Sequence, residues 1–148
     1  MNLRAIRSKA NRLVKFFGTR NPRKIAEGLG VTLVIYPLDK VRGFYQYFER
    51  VNLIYVDERL SEHEQLLVIA HELGHMLLHR TVNIVWMNTH THFKSCESET
   101  EANIFAMELL VPNEIILENI YYTTGQLARL LGYSEELIEL RLKTFNIL

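Results

Sequence analysis

The 148-residue sequence has one cysteine, three prolines, one tryptophan and no acidic residue before Glu27. A lone Cys96 cannot close an internal disulfide, which fits a reducing cytoplasm better than a secreted scaffold. No apolar run approaches the roughly 18 to 20 residues of a membrane span, and the N-terminus has no apolar signal-peptide stretch. Charged residues at 23%, with only seven glycines, exclude a disordered or fibrous chain. Apolar residues at 48% suffice for a core, and the length suits one domain over residues 1–148. Seventeen basic side chains balance seventeen acidic ones, so no net charge draws the chain to nucleic acid.

That balance is uneven. Arg4, Arg7, Lys9, Arg12, Lys15, Arg20, Arg23 and Lys24 all lie in the first 26 residues, leaving nine basic against seventeen acidic residues in the remainder. Leu3, Ile6, Ala10, Leu13, Val14 and Phe17 recur at helical spacing among them, which predicts a basic amphipathic helix within residues 1–20 with a cationic outer face. Such a face is usually solvated; an acidic partner or DNA is the alternative. Residues 22–112 read as a sheet and two central helices, and residues 113–148 as C-terminal helices. Asn21-Pro22 opens a short helix reaching about Leu29. Val31–Tyr36 is β-branched and apolar, and Gly43–Phe48 with Val51–Val56, parted by Glu49 and Arg50, reads as a hairpin. The expected fold is α+β, with about three strands in an antiparallel or mixed sheet packed against a helix bundle.

From Ser61 the pattern changes period. Ser61-x-x-Glu64 is a capping box, and the helix it opens is apolar on most sides to about Arg80. Residues 81–95, with Trp86, His90 and His92, lack a period and are expected to form a loop. A helix over Cys96–Leu110 stops before Pro112, followed by Asn113–Tyr121 and a helical pair split at Gly132.

The apolar helix contains His71-Glu72-Leu73-Gly74-His75. Histidines at i and i+4 share a helix face and can bind one ion, while Glu72 can lean toward an open coordination position. Inside an apolar helix each of these polar groups needs a partner, and a metal serves all three. Leu78 and Thr81 occupy the positions where a metzincin carries glycine and histidine, which excludes that class. A third ligand must come from elsewhere. At about 100° per residue along the next helix, Ala102, Asn103, Ala106 and Leu110 fall within about 60° of Glu99, whereas Glu101 and Glu108 lie about 180–200° away. Glu99 is therefore expected on the buried face and Glu101 toward solvent, where Ser98-x-x-Glu101 offers a second capping box. Ala102 and Ala106 would let this helix approach the histidine helix closely, and Asn103 could orient a ligand. His79 continues the row from His75 and could support the site from behind. Glu101, His90 and His92 remain rival third ligands, with Cys96 a weaker rival more readily taken as a small buried thiol.

His71-Glu-Leu-Gly-His-Met-Leu-Leu-His79, followed by Glu99-x-Glu-Ala-Asn-x-Phe-Ala-x-x-Leu-Leu-Val-Pro112, resembles the ImmA/IrrE family of metallopeptidases. The likeness covers about residues 22–145 and departs from the family pattern at Val111, where methionine is common. The resemblance implies a small gluzincin-like domain in which His71, His75 and Glu99 hold the metal and Glu72 is the catalytic base. It further implies a zinc-dependent endopeptidase, with manganese the alternative metal. Its expected partner is a helix-turn-helix repressor encoded nearby, whose cleavage or inactivation would derepress a phage or mobile element. Neither a membrane nor direct nucleic-acid binding is expected.

Two competing functions follow from other features. Gln126–Ile138 has helix-turn-helix spacing, but Glu135 and Glu136 open its second helix and would repel DNA. A metal-stabilised anti-repressor that sequesters without cutting would have no use for Glu72. Tyr45, Tyr47, Tyr121 and Tyr122 are candidates for a second oxyanion donor that the sequence does not separate from packing residues.

Overall fold

The structure, a computed structural model, describes the backbone of residues 2–88 and 96–146 and the side chains of residues 2–79 and 96–146. His90 and His92 lie outside the described residues. Helices α1 (Leu3–Phe17) and α2 (Pro22–Gly28) precede strands β1 (Thr32–Tyr36), β2 (Gly43–Phe48) and β3 (Val51–Asp57). Helices α3 (Glu62–Asn88), α4 (Cys96–Leu110), α5 (Asn113–Glu118), α6 (Thr124–Leu131) and α7 (Glu135–Phe145) follow. Among the described residues, no helix is long and apolar enough to cross a membrane.

The sheet is mixed, in the order β1-β3-β2, with β1 parallel and β2 antiparallel to β3. The hairpin turns at Glu49 and Arg50, whose φ values of 48° and 66° are the left-handed geometry of a tight hairpin. Gly30, at φ 78°, ends the turn between α2 and β1. Among the described residues, β2 pairs with β3 and stands at the end of the strand order.

Ser61 and Glu64 make both expected bonds, Glu64 N to Ser61 Oγ at 3.2 Å and Ser61 N to Glu64 Oε1 at 3.1 Å. The helix they open outruns the expected end at Arg80. Residues 81–88, expected in a loop, are helical to Asn88, and α3 leaves helical geometry at His79 (φ −131°, ψ 24°). Conversely, α5 ends at Glu118 rather than Tyr121. Both boundaries fall where hydrophobic period is weak.

Two expectations about α4 are overturned. It begins at Cys96, so Ser98 lies inside its first turn and does not cap it. Its far side does not face water either, because α1, α3 and α7 all pack against α4. Glu108, which the helical wheel sets opposite Glu99, is only 3% exposed. Its Oε1 accepts from Arg7 Nε at 3.3 Å and from Arg141 Nη1 at 3.4 Å.

Arg141 of α7 is 2% exposed and also donates to the Val111 carbonyl at 2.8 Å and to Asn113 Oδ1 at 2.6 Å. Burial pushes the Arg141 pKa down, and the Glu108 carboxylate opposes that shift. Arg20 Nη1 completes the cluster by capping α4, bonding the carbonyls of Glu108 and Leu109 at 3.1 Å each. The N-terminal basic segment is thus partly an internal counter-charge: Arg7, Lys9, Arg20 and Arg23 all bond to the body, while Arg4, Arg12 and Lys15 remain exposed.

Removing Glu108 leaves a buried guanidinium without its charge partner. Glu108→Ala should therefore lower the unfolding free energy by about 3–5 kcal/mol, read by urea denaturation. A loss under about 1 kcal/mol would show the cluster to be ornamental.

Candidate metal centre

The site is built where the backbones of α3 and α4 touch. A Cβ added at Gly74 would stand 3.0 Å from Ala102 Cα and 3.1 Å from Ala102 O, so the two backbones meet with no side chain between them. Glycine at the fourth position of His71-Glu-Leu-Gly-His75 and alanine at 102 set the separation across which the polar side chains reach.

Across this contact His71 and His75 turn their rings to one point. Their Nε2 atoms are 3.1 Å apart. Oε1 of Glu99 lies 2.8 Å from His75 Nε2, and Oε2 lies 3.2 Å from His71 Nε2. The imidazoles, His71 first and then His75, hold the Glu99 carboxyl well below the usual carboxylate range, more than offsetting its partial burial.

Behind the rings, Asn103 Oδ1 accepts from His71 Nδ1 at 2.7 Å, which leaves the His71 Nε2 lone pair facing His75. His75 Nδ1 is 3.3 Å from His79 Nδ1. Two inward-facing Nε2 atoms beside a carboxylate repel unless a proton or a cation lies among them. Two imidazoles and a carboxylate are a zinc-type donor set. Glu72, 3% exposed, brings its carboxylate within 4.8 Å of donor atoms on both histidines. His71, His75 and Glu99 suit the ligand positions, since Glu99 touches both Nε2 atoms, and Glu72 stands on the same helix beside the open groove.

That groove, of about 870 Å³, runs between the start of β2 and the C-terminal helices. His71, Glu72, Glu99 and Asn103 form its floor, Arg42, Gly43 and Phe44 one wall, and Glu136, Leu137 and Leu140 of α7 the other. Leu67 and Val68 of α3 add apolar surface. Nothing local in the sequence marks α7 as a wall of this groove.

The structure thus brings together His71, Glu72, His75, Glu99, Asn103 and His79. It corrects Glu101, expected toward solvent: its side chain is 20% exposed and its Oε1 stands 3.5 Å from His79 Nε2. The Glu-x-Glu spacing opposite the His75, His79 row was the available signal. Cys96, expected to be buried, is exposed. Tyr45 donates its hydroxyl to Asn52 Oδ1 at 2.7 Å, and Tyr121 and Tyr122 are exposed.

Residues 26–143 match the family model for the IrrE N-terminal-like domain, Peptidase_M78. The chain is 33% identical over 139 residues to "Uncharacterized immunity region protein 2" of Bacillus phage phi105, covering 92% of this chain and 88% of that one. It is 29% identical over 124 residues to "Metallopeptidase ImmA" of Bacillus subtilis strain 168, covering 82% and 72%. A solved structure of a Mycobacterium tuberculosis transcriptional regulator superposes with a TM-score of 0.61 at 21% identity, which is a likeness of fold. It covers 95% of this chain but 46% of the regulator, so the chain spans less than half of that protein's length.

Gly74→Ala must push α4 away, because its two nearest obstructing atoms are Ala102 backbone, with the Phe105 ring next at 3.2 Å. It should cost about 1–3 kcal/mol of stability, seen as a lower Tm, whereas Ala102→Gly should cost about 1 kcal/mol by helix propensity alone. Equal losses for the two would mean that the close approach is unimportant.

Proposed function

Since the chain belongs to the IrrE N-terminal-like family of metallopeptidases, we propose that it is a zinc-dependent endopeptidase acting in the cytoplasm on a helix-turn-helix repressor. The observation that carries the reading is the convergence of two Nε2 atoms and one carboxylate within 3.2 Å of each other, at the floor of a groove that also holds Glu72. His71, His75 and Glu99 would hold the metal. Donors bound to zinc at about 2.0–2.1 Å in tetrahedral geometry stand about 3.3 Å apart, close to the separations found here. Manganese, which prefers oxygen-rich octahedral sites, fits this donor set less well.

When bound, zinc supplies Lewis-acid activation of water and of the scissile carbonyl. The chain's own residues do the rest. Glu72 takes the proton of the attacking water on its carboxylate and returns it to the leaving amine. Asn103 holds the His71 ring in register by accepting its Nδ1–H. The groove between Gly43 and Phe44 of β2 and Leu137 and Leu140 of α7 would take an extended substrate segment lying along β2.

The repressor assignment rests on the ImmA/IrrE resemblance and on a relative named for a phage immunity region. Direct DNA binding is disfavoured by the α6–α7 pair, whose exposed Glu135, Glu136 and Glu139 oppose a phosphate backbone.

Co-expression with a helix-turn-helix repressor, sought first among the genes adjoining this one, should yield repressor fragments with the wild type and none with Glu72→Gln, which keeps the metal. Glu99→Ala should lose both fragments and stoichiometric zinc, and EDTA should lower the Tm of the wild type but not of Glu99→Ala. Equal fragmentation with Glu72→Gln would end the catalytic assignment. Derepression without fragments would favour sequestration instead.

A further inference from the structure

A neutral imidazole carries one N–H and one lone pair, so fixing the role of one ring nitrogen fixes the other. His75 turns Nε2 to His71 and Glu99, and its Nδ1 faces Nδ1 of His79 at 3.3 Å. One of these two Nδ1 atoms must donate and the other accept. If His75 commits its Nε2 lone pair to the metal, as in the reading above on which this inference rests, its proton sits on Nδ1 and His79 Nδ1 accepts it. The proton of His79 then sits on Nε2. That atom is buried and has no hydrogen-bond partner among the described residues. Oε1 of Glu101 stands 3.5 Å away, about half an ångström beyond a good N–H···O bond, and carries the negative charge nearest that atom among the ion pairs of the described residues.

We infer that Glu101 is a positioning residue: acting through His79, it holds His75 in the tautomer whose Nε2 lone pair faces the metal site. Asn103 does the same for His71 through a single bond. Three polar residues in five positions of α4 therefore have distinct jobs, Glu99 toward the metal, Glu101 toward the support of one ring and Asn103 toward the other. A carboxylate at the end of the relay is the strongest acceptor for the buried N–H, and its charge raises the basicity of the ligand at the other end.

The test is zinc affinity of the full chain, by competition with a chromophoric chelator. Glu101→Ala and His79→Ala should each weaken binding about tenfold to a hundredfold. The double variant should be no weaker than the weaker single, because both act in one chain. Glu101→Gln, whose amide oxygen can still accept, should retain most of the affinity, and metal-free Glu101→Ala should melt with the wild type. Nitrogen-15 spectra of the zinc-loaded wild type should show His79 as the Nε2–H tautomer. Wild-type affinity in Glu101→Ala, fully additive losses, or an Nδ1–H tautomer at His79 would overturn the inference while leaving the metal reading intact. Wild-type affinity in Glu99→Ala would overturn the metal reading and this inference with it.

Discussion

Backbone-to-backbone packing of α3 on α4 at Gly74 and Ala102 is the constraint on which the rest of the molecule depends. Imidazole and carboxylate side chains are short, so Glu99 reaches both Nε2 atoms only because nothing larger than a hydrogen separates the helices there. The same contact lets one helix supply the histidines and the other supply Glu99, Asn103 and Glu101. The sheet is arranged around this pair, with β2 packed on α3 and its start at Gly43 and Phe44 lining the groove.

A close helix pair of this kind must be held from its other side, and the charge distribution reflects that need. Glu108, on the opposite side of α4 from Glu99, is sealed under α1 and α7 by Arg7 and Arg141, while Arg20 closes the carbonyl end of α4. The cationic N-terminus and the acidic body are thus partly two halves of one internal network. Such a buried network adds little over apolar packing when intact, yet it penalises any shift of one helix relative to another, since each shift strands a charge. It fixes α4 in place without contributing to the groove.

Much of this was legible in the sequence. The i, i+4 histidines, Glu72 beside them, Glu99 and Asn103 one turn apart, the Ser61–Glu64 box and the hairpin at Glu49-Arg50 all stand where spacing put them. Each depends on local geometry alone: helix pitch, strand alternation and capping bonds span at most a few residues. The errors share one cause. Glu101, and by the same wheel the Glu108 side of α4, reads as solvent-facing only if the face opposite the buried one is wet. For α4 that assumption fails, since three helices surround it. An arginine set among leucine and isoleucine at 141 was the only hint that a buried acid awaited it.

What the sequence determined by itself was the kind of chemistry, because metal-type donors at fixed helical spacing constrain an ion whatever surrounds them. It also determined the elements that carry those donors. Which carboxylate meets which imidazole, which arginine is buried, and that α7 walls the groove were decided by tertiary packing. Those facts depend on how helices distant in the chain lie against one another, and local periodicity carries no record of the neighbour a helix face will meet.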